Sequence, residues 1–81
     1  MTHQWERVAL AFGAVLRAAR REKGLTQEQV AANAGFDRTY PSLLERGLRT
    51  PTLGVIFRLA DALGIDAPQL VGATFDWLRK R

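Results

Sequence analysis

Residues 35–47 read GFDRTYPSLLERG and gather a dense set of hydrogen-bonding side chains. Arg38, Thr39, Tyr40 and Ser42 supply a forked guanidinium and three hydroxyls within a few positions. On a helix, Arg38 and Ser42 stand four apart and so share a face. Such groups bind without making or breaking covalent bonds: the guanidinium donates in pairs to planar acceptors, and a hydroxyl donates or accepts. Covalent chemistry has no comparable candidate. The 81-residue chain pairs no nucleophile with a base and has no glycine-rich phosphate cradle. A single histidine, His3, no cysteine and no clustered acids make no ligand set for a metal. The expectation is binding rather than catalysis, with no enzyme activity and no cofactor. Pro41 stands in the middle of this set, where a helix should already be under way, and needs a physical reason.

The totals describe one small domain spanning residues 1–81, since chains this short rarely support two cores. Hydrophobic residues make up 47% and charged residues 25%, a globular rather than a disordered balance. With no disulfide available, stability has to come from helix packing, helped by self-association. No apolar run approaches the roughly 18 residues of a membrane span, and the start, MTHQWER, lacks the apolar stretch of a secretory signal. A cytoplasmic location with no membrane partner is expected. The net charge of +4 is moderate, but its placement is informative. Arg17, Arg20, Arg21, Lys23, Arg38, Arg46, Arg49 and Arg58 fall in one central stretch, and Arg79, Lys80 and Arg81 form a basic tail. A zone of this kind favours a phosphate-rich partner.

The most regular signal is a repeated stop: Gly24-Leu25, Gly35-Phe36, Gly47-Leu48 and Gly64-Ile65. A glycine followed by an apolar residue is the sequence form of a left-handed helix terminus. Four stops imply at least four helices with very short connections, and no stretch alternates long enough to argue a strand. The fold class is all-α, with five or six helices. The first helix should run from about Gln4 to Lys23, burying Trp5, Val8, Phe12, Val15, Leu16 and Ala19. The second begins at Thr26, where TQEQ matches a capping box, and buries Val30, Ala31 and Ala34. The third follows Asp37 as N-cap. The fourth starts near Thr50-Pro51-Thr52 and buries Leu53, Ile56, Phe57, Ala60 and Leu63. Asp66 caps a fifth, with Pro68 in its first turn. Phe75, Trp77 and Leu78 lie in a last amphipathic segment.

Two short helices joined by a tight glycine turn suggest a helix-turn-helix, whose second helix enters the major groove of DNA. At this point the sequence resembles the lambda-repressor/Cro-like DNA-binding domains. The resemblance rests on LRAARREKGLTQEQVAANAG, FDRTYPSLLERG and RTPTLGVIFRLADALGI, which together cover about residues 16–65. The RTY–S–ERG pattern with a short extension, residues 66–81, also looks like the controller proteins of restriction–modification systems. The resemblance implies a sequence-specific transcriptional regulator, a repressor among them, bound to double-stranded DNA and associated with the nucleoid.

On that reading Arg38, Thr39, Ser42 and Leu43 face bases. Arg38 presents a fork to guanine, Thr39 a hydroxyl and a methyl, and Leu43 either meets a thymine methyl or packs on a neighbour. Gln27, Tyr40, Arg46, Arg49 and Thr52 are placed for the DNA backbone. Arg20 and Glu45 match a family ion pair that fastens the first helix to the end of the third. Glu28 is a candidate contact for RNA polymerase. The family usually carries a β-branched residue where Pro41 stands. As the fourth helical residue, Pro41 would forfeit one hydrogen bond, to the Asp37 carbonyl, and would tighten or bend the turn bearing Arg38 and Thr39.

One recognition helix reads only a few base pairs, so a homodimer on half-sites about 34 Å apart is expected. Leu70, Val71, Phe75, Trp77 and Leu78 are the candidate interface. Against this stands an antitoxin-like or adaptor module that would use the same apolar surface for another protein.

Overall fold

A computed structural model describes residues 3–80, with side chains from Trp5 onward. It contains five helices: α1 (His3–Glu22), α2 (Gln27–Ala34), α3 (Tyr40–Glu45), α4 (Leu53–Leu63) and α5 (Ala67–Arg79). There is no strand among the described residues. The long α1 lies against α5 and α3, while α2 packs on α3 and α4, and α4 on α5. His3 and Arg81, the first as a side chain and the second altogether, lie outside what is described.

The stop signals act as the sequence suggests. Gly24, Gly35, Gly47 and Gly64 all take left-handed angles, with φ between 70° and 74°. In each case the following apolar residue donates its amide five residues back, as Phe36 does to Ala31 at 2.8 Å and Leu48 to Leu43 at 2.9 Å. These bonds satisfy carbonyls the helix leaves over, and they fold Leu25, Phe36 and Ile65 back onto the core, while Leu48 stays exposed. At the other ends, the Thr26 hydroxyl accepts from the Gln29 amide at 3.0 Å, and Gln29 accepts from the Thr26 amide at 2.8 Å. Thr52 accepts the Val55 amide at 3.1 Å, which fixes the start of α4. Gln69 accepts the Asp66 amide at 2.8 Å ahead of α5.

The core is Phe12, Leu16, Val30, Leu44, Leu59, Ala60, Leu63 and Leu70, drawn from every helix. Val30, Ala31 and Ala34 of α2 are buried as expected. Three expected core residues are not. Trp5 lies on the apolar stripe of α1 but in its first turn, ahead of the buried layer that begins at Ala9, and is 68% exposed. In α4 the inward stripe is Ile56, Leu59, Ala60 and Leu63. At about 100° per residue that stripe turns Leu53 and Phe57 sideways, and both are exposed. Leu59, unremarked in the sequence, is fully buried in their place.

Gly13 marks a close approach of two helices. A Cβ there would lie 2.4 Å from the Leu44 carbonyl oxygen and 2.6 Å from that of Glu45. The missing side chain is what lets α1 lie directly on the C-terminal turn of α3.

The third helix starts later than Asp37 implies. Residues 37–39 form a turn, and α3 proper is the short run Tyr40–Glu45. Asp37 still organises the entry, but as the acceptor of the turn: its Oδ1 takes the Thr39 amide at 2.8 Å. The Tyr40 amide donates to the Asp37 carbonyl at 3.0 Å. Pro41 therefore falls in the first helical turn, and the carbonyl its missing N–H would have sought already has a donor. No hydrogen bond is lost, and the buried ring fills the slot facing the core. The tightened turn expected around Arg38 and Thr39 is present, and it precedes the proline.

Candidate nucleic-acid interface

Three elements converge on one face. The start of α2 brings Gln27 and Glu28, the turn after Phe36 brings Arg38 and Thr39, and α3 brings Ser42 and Leu43, with Arg46 closing its end. These seven residues line one open concavity of about 410 Å³. All four expected base readers lie in it, joined by Arg46 and Gln27 from the expected backbone set. Tyr40, Arg49 and Thr52 lie outside that lining.

Arg38 is exposed and Ser42 half-buried. Thr39 is exposed, but its hydroxyl is committed: Oγ1 donates to Asp37 Oδ1 at 2.6 Å. That bond, followed by the Thr39 amide, holds the Asp37 carboxyl below its ordinary value of 3.8. Leu43 is half-buried on the wall of the concavity, which leaves part of it for contact and part for packing.

Gln27 is a member of the scaffold as well as of the surface. Its Nε2 donates to Glu45 Oε1 at 3.0 Å. The same carboxylate accepts Arg20 Nε at 2.6 Å on Oε2 and Arg20 Nη2 at 3.0 Å on Oε1. Arg20 Nη1 then reaches the Leu25 carbonyl at 2.8 Å. A single carboxylate thus ties the end of α3 to the last turn of α1 and the first turn of α2. The Glu45 bond raises the Arg20 pKa above the ordinary guanidinium value. The pair is nearly closed to water, with side-chain exposures of 11% for Arg20 and 4% for Glu45.

Tyr40 leans inward. Its ring meets Phe36 edge-on with centroids 5.1 Å apart and packs against the core. Arg49 is exposed and donates to the neighbouring Leu48 carbonyl at 2.9 Å. Thr52 spends its oxygen's lone pair on the α4 cap, which leaves the hydroxyl proton free to donate outward. Arg58 is an anchor the sequence did not reveal. Its Nε and Nη2 both donate to the Ala34 carbonyl, at 3.1 and 2.7 Å, and Nη2 also to that of Gly35 at 3.0 Å. Its guanidinium lies 4.4 Å above the Phe36 ring. Its partners are main-chain carbonyls, so no residue type in the sequence signalled the contact.

The C-terminal candidates divide. Val71, Phe75 and Leu78 line an apolar groove of about 250 Å³ with Val8, Phe12, Pro51 and Ile56. Leu70 does not belong to that face. It is buried in the core, because it lies on the inner side of α5. Trp77 is half-buried and outside the groove lining. Trp5 is not part of it either.

No helix among the described residues is long and apolar enough to cross a membrane, and no group of three metal-binding side chains occurs among them. Comparison with known proteins gives a single answer. Residues 11–71 match the family model described as a helix-turn-helix domain. The uncharacterised HTH-type transcriptional regulator y4dJ of Sinorhizobium fredii is 54% identical over 55 residues, 68% of this chain and 71% of that protein. The crystal structure of the restriction–modification controller protein C.AhdI from Aeromonas hydrophila is 44% identical. It covers 76% of this chain and 94% of its own, with a TM-score of 0.74. That of the hypothetical transcription factor NHTF from Neisseria is 34% identical over 91% of this chain and 85% of its own, with a TM-score of 0.78. Glycine-stopped helices, a capped α2, an exposed donor set at the entry to α3 and these relatives lead to one conclusion: the chain belongs to the helix-turn-helix family of DNA-binding transcriptional regulators.

Proposed function

We propose that this chain binds a two-fold operator as a homodimer, with the turn at Arg38–Thr39 and helix α3 in the major groove. The observation that carries this reading is the gathering of Arg38, Thr39, Ser42, Leu43 and Arg46 around one open concavity beside the start of α2. Arg38 donates to guanine, Thr39 and Ser42 meet base edges, and Leu43 touches a thymine methyl. Gln27, Arg46, Arg49 and Thr52 position the backbone, and Tyr40 contributes its hydroxyl at the rim. The groove lined by Val71, Phe75 and Leu78 supplies the two-fold contact, because one copy reads too few base pairs to find a site in a genome.

The protein acts by occupancy in the cytoplasm, on nucleoid DNA, without a catalytic step or a cofactor. Glu28, exposed at the start of α2, is the candidate contact for polymerase bound alongside. An antitoxin-like or adaptor role would use the same apolar groove, but the relatives are regulators and do not favour it.

Fluorescence anisotropy with a labelled duplex, first random and then selected from a randomised library, tests the reading. Affinity should fall steeply with salt, by about 0.9 in log–log slope for each phosphate neutralised. Arg38→Ala should weaken the selected duplex by about tenfold or more and relax discrimination at one position per half-site. Salt-independent affinity, or an Arg38→Ala variant that binds and discriminates as before, refutes it.

A further inference from the structure

Thr39 faces the concavity with a hydroxyl whose proton is already given away. The partner, Asp37 Oδ1, lies 2.6 Å from Thr39 Oγ1 and also accepts the Thr39 amide at 2.8 Å. A carboxylate has no proton to give, so in this pair the hydroxyl must be the donor. What Thr39 keeps for a ligand is its oxygen lone pairs and its methyl group. A hydroxyl free to rotate would accept from one base and donate to another; this one has a fixed polarity. The hydroxyl bond also holds the side chain in one rotamer, and the amide bond fixes the backbone beside it, at the point where the chain enters α3.

We propose that Asp37 is a specificity-determining residue: by taking the Thr39 proton it makes Thr39 an acceptor-only reader of the major groove. The base opposite Thr39 is then one carrying an exocyclic amino group, adenine N6 or cytosine N4. Guanine offers only the acceptors O6 and N7 at that edge and is rejected, because two acceptors meet with no proton between them. Asp37 achieves this without touching the base. It is a positioning residue, and its effect appears at the base pair that Thr39 reads. The inference rests on the reading of Arg38 and Thr39 as groove-facing residues.

The test is selection of binding sites from a randomised duplex library, sequenced for the full-length wild type, Asp37→Ala, Thr39→Val and Arg38→Ala, with circular dichroism on each. The wild type should enrich adenine or cytosine over guanine by about fivefold at one position per half-site. Asp37→Ala frees the hydroxyl and should admit guanine there while leaving the Arg38 position unchanged. Thr39→Val keeps the shape and the methyl but removes the oxygen, so it should lose the amino-group preference at that same position. It leaves Asp37 itself and the bond from the residue-39 amide in place, which keeps the test decisive if Asp37→Ala folds poorly. Uniform weakening in Asp37→Ala with the base preference intact overturns the role of Asp37, as does a Thr39→Val variant that still excludes guanine. A wild type that enriches no sequence, matched by Arg38→Ala, instead removes the groove-reading assignment on which both depend.

Discussion

Nε of Arg20 lies 2.6 Å from Oε2 of Glu45, although 25 residues separate them in the chain. With Gln27 as a second donor to the same carboxylate, this contact joins three helices at one nearly dry point. Removing one partner of such a pair leaves the other buried and unmatched. Glu45→Ala should therefore cost about 3 kcal/mol in urea unfolding. The Arg20→Ala, Glu45→Ala double variant should cost much less than the sum of the singles. Because the Glu45 bond raises the Arg20 pKa, the linked stability is present throughout the ordinary pH range and is lost only in strong alkali, as pH rises through the folded-state value. Urea midpoints should show no alkaline dependence on this pair in ordinary buffers.

Gly13→Ala should be the most damaging single-methyl addition in the chain. Its Cβ would meet the backbone oxygens of Leu44 and Glu45 at 2.4 and 2.6 Å, and a carbonyl cannot swing aside as a flexible side chain can. Helix α1 must lift from α3, at a cost of about 2 kcal/mol in urea unfolding. Gly72→Ala, where a Cβ meets nothing within 4 Å, is the control and should be neutral or slightly stabilising.

The Asp37 carboxyl should titrate below 3.8, since the Thr39 hydroxyl and amide both favour its charged form. The linked stability is present above 3.8 and is lost as pH falls through the lower, folded-state value. An NMR titration of the Asp37 carboxyl carbon measures this directly. In Thr39→Val the midpoint should rise toward 3.8, because the larger of the two donors is gone. A wild-type midpoint at or above 3.8 would contradict the observed bonding.

Phe75→Asp should convert dimer to monomer without unfolding the chain. Phe75 is 58% exposed, so a carboxylate there is hydrated in the monomer and buried only if two grooves meet. Sedimentation velocity at tens of micromolar should show the change, while the thermal midpoint measured at low concentration stays put. A wild type that sediments as a monomer at that concentration disposes of the two-fold model.

Arg58→Ala should lower stability by about 1 kcal/mol through loss of its bonds to the Ala34 and Gly35 carbonyls. Hydrogen exchange should quicken at the end of α2 before it does in α1.

The helix ends were the most legible part of the sequence. A glycine with positive φ and a Thr-x-x-Gln box are local devices, and local chemistry is enough to place them. Direction within a helix was less legible. Leu53, Phe57 and Trp5 are as apolar as Leu59 and Leu16, and only the position of neighbouring helices decides which of them is covered. Leu70 was misassigned for the same reason, since the inner and outer sides of α5 are both apolar. At the candidate interface, residue types were enough to single out Arg38, Thr39 and Ser42. They could not show that Asp37 caps a turn rather than a helix, because Asp fits either and the choice depends on where Pro41 lets α3 begin. Arg58 was invisible as an anchor because its partners are main-chain carbonyls, which every residue has.

Two guanidinium groups fasten the helix-turn-helix unit at opposite ends, Arg20 from α1 and Arg58 from α4, and both grip carbonyls as well as side chains. A unit pinned at both ends has no hinge with which to follow an imperfect groove. When two copies engage sites whose spacing or twist departs from their own, the strain has to be taken up by the nucleic acid. Operators rich in easily kinked pyrimidine–purine steps between the half-sites should therefore be held longer than stiff ones with identical contacted bases.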